Sequence, residues 1–270
     1  MQDWQKIVVG EFLGTFTLTF FGCSVIATAV LAGAQVGLWQ VAVVWGIAVA
    51  LGIYLAADLS GAHLNPAVTV ALALWRKSAD LKETAIYIGS QLGGAITAGL
   101  LVYLVFGQAI GKFEAGLGLV RGQPGSQLSA MMFGEYFPNP GLSDEAAKIF
   151  SGIGPAQAFL GEAIGTAFLV MVIFTVTKIE VPMWLQPILI GAAIALIIST
   201  IAPLTQAGFN PARDFGPRLV SFFAGWGRIA IPGPHNGFWI YIAGPITGGI
   251  VGGWLVDRVA GKRHHRKLEN

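Results

Sequence analysis

Two short stretches hold residues whose types and spacing suggest chemistry. "SGAHLNPAVT" runs from Ser60 to Thr69 and "QAGFNPARDF" from Gln206 to Phe215. Each carries an Asn-Pro-Ala triplet: Asn65, Pro66 and Ala67 in one, Asn210, Pro211 and Ala212 in the other. Asn caps helix N-termini well and Pro suits the first helical position, so each triplet predicts the start of a helix. The residues before them, Gly61, Ala62, His63 and Leu64, and Gln206, Ala207, Gly208 and Phe209, read as irregular backbone. Their carbonyls are not consumed in helix bonds and can act as acceptors along a passage. The two Asn amides supply donors at its centre.

Three ionisable residues belong with these stretches. Arg213 directly follows the second triplet, where the first has Val68. Glu11 and Glu162 stand in equivalent places, in "GEFLGTFTLTFFG" and "GEAIGTAFLVMVIF". An acid inside an apolar span is costly and usually functional. One role is proton relay. The other is to accept hydrogen bonds from the irregular backbone, and one copy per interruption favours it. An ion pair of Arg213 with Asp214 is the plain alternative to a site role for the arginine. His63 is expected to bond the loop before Asn65 rather than face a solute. His235, His264 and His265 lie elsewhere, and the single Cys23 permits no internal disulfide. No catalytic group, metal or cofactor is therefore expected.

The elements that hold these residues are apolar. The chain of 270 residues is 54% hydrophobic and 11% charged, where soluble domains carry about 25% charge. Mean hydropathy is +0.68. Runs near the roughly 20 residues needed to span a bilayer fall at 7–31, 41–57, 85–106, 156–177, 184–201 and 238–256. Half-spans follow the triplets, at about 65–76 and 210–222. The predicted class is an all-α membrane protein of six spans and two re-entrant half-helices. Lys6, Arg76, Lys77, Lys82, Lys178 and Arg258 share one side with the tail "KRHHRKLEN", which sets that side as cytoplasmic. Both termini then lie in the cytoplasm. The tail, 259–270, reads as a basic anchor at the lipid surface. A net charge of +2 gives no reason to expect nucleic acid.

The chain also repeats. "WGIAVALGIYLAADLSGAHLNPA" resembles "IGAAIALIISTIAPLTQAGFNPA", and "GSQLGGAITAGLLVYL" resembles "AGPITGGIVGGWLVD". Repeats of three full spans, 1–106 and 156–258, must enter the membrane from opposite faces, so this is an inverted repeat. The segment 107–155 joins them as a polar extracellular loop. The half-helices then meet near the midplane, each bringing about half a positive charge from its dipole. That potential repels cations, protons included.

Six spans, two half-spans, "SGAHLNPAVT" and "NPARDFGPR" resemble the aquaporin superfamily, and within it the bacterial glycerol facilitators. The resemblance covers nearly the whole chain and includes "YFPNP" at Tyr136–Pro140 in the long loop. It implies a tetramer with a pore in each subunit, embedded in the inner membrane. It also implies a four-residue selectivity filter, which falls on Trp45, Ile198, Ala207 and Arg213. Trp45 and Arg213 match glycerol facilitators, as do Asp214 and Arg218. Ile198 and Ala207 depart from them, since facilitators usually have Gly and Phe there. A small residue with a branched aliphatic is similar to plant nodulin-like intrinsic proteins, as is Tyr241-Ile242.

Such a filter has an apolar Trp45 wall, a second apolar face at Ile198, and arginine donors opposite. A small neutral molecule with one apolar and one polar face should pass. Glycerol fits, as do urea, hydrogen peroxide, undissociated metalloid acids and protonated small acids, with water also passing. A channel mainly for water or metalloid acids is the runner-up. An ion-coupled transporter would need an intramembrane acid facing the pathway, and a membrane enzyme would need a nucleophile, metal cluster or paired acids.

Overall fold

The computed structural model describes residues 1–35, 37–179 and 181–267, with side chains described as far as Arg258. Ten α-helices occur among them: α1 (Asp3–Ala32), α2 (Leu38–Ser60), α3 (Pro66–Arg76), α4 (Leu81–Leu117), α5 (Gln127–Ala130), α6 (Asp144–Phe150), α7 (Pro155–Val176), α8 (Gln186–Thr205), α9 (Pro211–Ser221) and α10 (Ile240–Lys267). Six helical segments are long and apolar enough to cross a membrane. Helices α3 and α9 have half that length. The expected basic anchor at 259–270 lies outside the described side chains, although the α10 backbone continues to Lys267.

Local chemistry sets the helix ends. Asp80 accepts the Glu83 amide while Glu83 accepts the Asp80 amide, a capping box that starts α4. Gly33 and Gly61 close α1 and α2 in the left-handed conformation. Asn65 and Asn210 cap α3 and α9 with their own side-chain oxygens, and Pro66 and Pro211 occupy the first helical position.

Packing follows the repeat. α1 lies against α2 and α4, and α7 against α8 and α10. Small residues make the close approaches on which membrane helices depend. A Cβ on Gly94 of α4 would sit 2.3 Å from the Phe12 carbonyl oxygen of α1. Its counterpart Gly248 of α10 would sit 2.1 Å from that of Ala163 in α7. The two repeats meet where Gly46 of α2 and Gly191 of α8 face one another, each placing a Cβ within 2.4 Å of the other's carbonyl oxygen. The Gly-rich stretches "GGAITAG" and "GGIVGG" therefore serve contacts within the subunit.

The connecting segment differs from a plain exposed loop. α4 continues to Leu117, past the expected loop start at 107, because no proline interrupts 107–117 despite its three glycines, and Gly118 ends the helix in the left-handed conformation. Within the segment, Ala130, Met132, Phe133, Tyr136 and Phe137 are buried. This apolar patch within a polar segment tucks against the membrane helices instead of projecting into water.

Candidate functional site

The site grows from two strained pieces of backbone. Ala62 and Leu64 before α3, and Gln206, Ala207 and Phe209 before α9, all have positive φ, as does Gly61. Left-handed backbone costs a non-glycine residue on the order of 1–3 kcal/mol, so something must hold it. A buried carboxylate does so in each half. Glu11 accepts the amides of His63 (2.9 Å) and Leu64 (2.7 Å), the Ser60 hydroxyl (2.6 Å) and the Gln91 side-chain amide (2.7 Å). Glu162 accepts the amides of Gly208 (2.9 Å) and Phe209 (2.7 Å) and the Thr205 hydroxyl (2.7 Å). Hydrogen bonds to a charged group contribute about 1.5–3 kcal/mol each, enough to offset the strain. Both carboxylates are fully buried and every oxygen is occupied by these donors.

The two helix starts are stitched together. The Asn65 amide donates to the Phe209 carbonyl and the Asn210 amide to the Leu64 carbonyl, both at 2.8 Å. Meanwhile the Asn65 oxygen accepts the Ala67 amide at 2.8 Å, and the Asn210 oxygen accepts the Ala212 amide at 3.0 Å. Each asparagine thus caps its own helix and ties down the backbone leading to the other.

A cavity of about 410 Å³ runs past this junction. Gly61, Ala62, His63, Leu64 and Asn65 line it from one side, and Ala207, Gly208, Phe209, Asn210 and Arg213 from the other. Trp45 and Ile198 line it too, so the four residues expected to form a filter all line one cavity, with Arg213 lying over the Trp45 ring. The ends differ in openness. Gly61 is exposed and Ala62 and His63 half-buried, whereas Ala207, Gly208 and Arg213 are buried. The Arg213 end is the more deeply buried one. The rest of the lining is aliphatic, including Val49, Ile53, Val68, Leu72 and Ile190.

Not every expected lining residue lies there. The side chain of Gln206 turns away from the cavity. It accepts the Tyr136 amide at 2.9 Å and donates to the Met131 carbonyl at 3.2 Å, which anchors the 118–143 segment. Gln206, expected to contribute its backbone carbonyl, is absent from the cavity lining, and its side chain is long enough to reach that buried loop. Pro66, Pro211, Ala67 and Ala212 are buried at the helix starts. The His63 ring stacks on Tyr87 (4.1 Å between centroids, 15° between planes) and does not bond the loop; its Nδ1 is buried without a partner.

The charges around Arg213 also differ from the simplest pairing. Asp214 pairs with Arg218 at 2.7 Å, one turn along α9, and not with Arg213. Arg213 lies 4.0 Å over the Trp45 ring and forms an ion pair with Glu135. Glu135 comes from the connecting segment and is clamped at both ends of its peptide: its amide donates to Asp214 at 2.7 Å, and its carbonyl accepts from Arg218. Sequence reasoning overlooked Glu135. Its one signal is position, directly before the "YFPNP" stretch already singled out, in a loop with no repeat counterpart.

Comparison with known proteins agrees with this architecture. Residues 1–256 match the major intrinsic protein family. The chain belongs to the major intrinsic protein family. It is similar to the glycerol uptake facilitator protein of Pseudomonas aeruginosa, 42% identical over 249 residues, covering 90% of this chain and 85% of the relative. The glycerol uptake facilitator protein of Haemophilus influenzae is 41% identical over 259 residues, covering 94% and 93%. Among solved structures, the aquaglyceroporin from Plasmodium falciparum superimposes with a TM-score of 0.81 at 28% identity, covering 95% of this chain and 97% of that one. As a major intrinsic protein the chain is a multi-pass membrane protein with the aquaporin fold, a channel and not an enzyme.

Proposed function

We propose that the protein is a passive channel for glycerol and other small neutral solutes, water among them. One observation carries this reading: a single cavity is lined by the crossed Asn65 and Asn210 and by Trp45, Ile198, Ala207 and Arg213 together. A solute loses water at the Arg213 end. Its hydroxyls meet the arginine and asparagine donors and the carbonyls freed by the left-handed backbone. Its carbon face slides along Trp45 and Ile198. Relatives named as glycerol uptake facilitators support glycerol as a solute. Ion-coupled transport is disfavoured because Glu11 and Glu162 are fully engaged with backbone and neighbouring side chains, so neither is free to bind a coupling ion.

In this reading the Arg213 end faces outward and Gly61 faces the cytoplasm, with both termini cytoplasmic in the inner membrane. The basic residues at the α3–α4 turn, Arg76, Lys77 and Lys82, support that orientation. A homotetramer fits the family resemblance, and each subunit holds its own complete cavity. Exposed apolar side chains on α2 and α7, such as Ile47, Leu55, Leu160 and Ile164, would face lipid or a neighbouring subunit.

The test is glycerol uptake into proteoliposomes by stopped-flow light scattering, with and without imposed proton and sodium gradients. Uptake should exceed protein-free vesicles and ignore both gradients. Uptake that follows a gradient would establish coupled transport instead.

A further inference from the structure

The pore centre is strongly positive, and something must keep anions out. Each half-helix N-terminus brings about half a positive charge, and Arg213 adds a full one in a buried setting. Such a centre repels cations, but by the same physics it attracts chloride, nitrate or formate. Glu11 and Glu162 lie behind the strained backbone and are saturated by its amides. Asp214 and Arg218 cancel one another within α9. The charge left without a partner from the half-helices themselves is Arg213, and Glu135 meets it.

We propose that Glu135 is a specificity-determining residue of the pore: its carboxylate cancels the Arg213 charge and so excludes anions. This rests on the channel reading above. Glu135 does not line the cavity and is almost fully buried, so it acts on passing ions through its charge and not by contact. Its placement is fixed from both sides, by Asp214 on its amide and Arg218 on its carbonyl. A loop residue pinned this firmly to α9 tracks Arg213 without drifting. The same pair explains how the arginine can offer donors to a neutral solute without trapping it. Part of the guanidinium is already engaged, and its face is covered by Trp45. Conduction needs a solute bound weakly enough to leave.

The experiment compares wild type, Glu135→Gln, Arg213→Gln and the double variant in proteoliposomes. Nitrate and sodium permeability are read beside glycerol flux. Glu135→Gln leaves the arginine uncompensated in a low-dielectric site, so nitrate permeability should rise at least about tenfold. The double variant should return it to the wild-type level. Glu135→Gln that conducts glycerol yet excludes nitrate like wild type would overturn the proposal. So would a nitrate leak that persists in the double variant, which would indicate loosened packing and not charge. If Glu135→Gln gives no open pore, Glu135→Thr decides: this smaller neutral side chain also removes the carboxylate, and nitrate permeability should rise. Unchanged nitrate exclusion there with glycerol flux intact would equally sink the idea. Absence of glycerol flux in wild type would instead refute the channel reading itself.

Discussion

The two halves of the pore share a scaffold and differ in what they hang on it. Ser60 and Thr205 each bond the acid of their repeat, at 2.6 and 2.7 Å. Ala62 and Ala207 occupy matched left-handed positions, and Leu64 and Phe209 each give an amide to that acid. Gly94 and Gly248 seat the third span of each repeat in the same way, so Tyr87 and Tyr241 are counterparts. Beyond this the halves diverge. Tyr87 stacks on His63, whereas the second repeat has Gly208 in that place, and a Cβ there would lie 2.9 Å from the Tyr241 ring. Val68 becomes Arg213, and Thr69, which accepts a Gln91 bond, becomes Asp214. The shared parts all shape backbone, and the differing parts all set charge and apolar contact. Duplication supplied the passage, and the expected filter draws unequally on the copies: Ile198, Ala207 and Arg213 from the second, Trp45 from the first.

The largest effects should fall on the shared scaffold and be equal in both halves. Glu11→Ala and Glu162→Ala each leave two buried amides without acceptors, at about 1–3 kcal/mol per group. Both variants should lose glycerol flux and thermal stability in detergent. If only one does, the halves are not equivalent supports. The next effect is one-sided. A Cβ on Gly22 would lie 2.1 Å from the Trp45 indole. Gly22→Ala should push that ring toward the cavity and lower glycerol permeability several-fold while water flux falls less, since overpacking shifts neighbours at about 1–3 kcal/mol. Equal losses of both would mean the pore closes elsewhere. The smallest effect separates the two tyrosines. The Tyr87 hydroxyl donates to the Ser60 carbonyl at 2.6 Å, whereas the Tyr241 hydroxyl is buried without a partner. Tyr87→Phe should lower stability by about 0.5–1.5 kcal/mol, and Tyr241→Phe should be neutral or slightly stabilising by thermal unfolding.

These contrasts also show which parts of the molecule were legible beforehand. The half-helices could be read because Asn-Pro is a local start signal and occurs twice in matched repeats. Helix number and the inverted repeat followed from apolar run length and the ordered recurrence of three segments. Glu135 could not be read, because its partner lies on α9 and its own segment has no repeated copy to mark it. Gln206 was read for its backbone carbonyl alone, and its side chain's bonds to the buried loop had no local sign. Tyr87 and Tyr241 looked like packing aromatics, since an aromatic in an apolar span carries no local sign of a polar partner.

The matched alanines allow the most direct test of one-sided selectivity. Both tolerate glycine, which suits their left-handed backbone, so Ala62→Gly and Ala207→Gly remove one methyl each without strain. The measurement is the erythritol-to-glycerol permeability ratio in proteoliposomes. Ala207→Gly should raise it several-fold by widening the buried end between Trp45, Ile198 and Arg213, and Ala62→Gly should leave it near the wild-type ratio. A ratio that moves equally in both variants, or only in Ala62→Gly, would contradict the assignment of selectivity to the Arg213 end of the cavity.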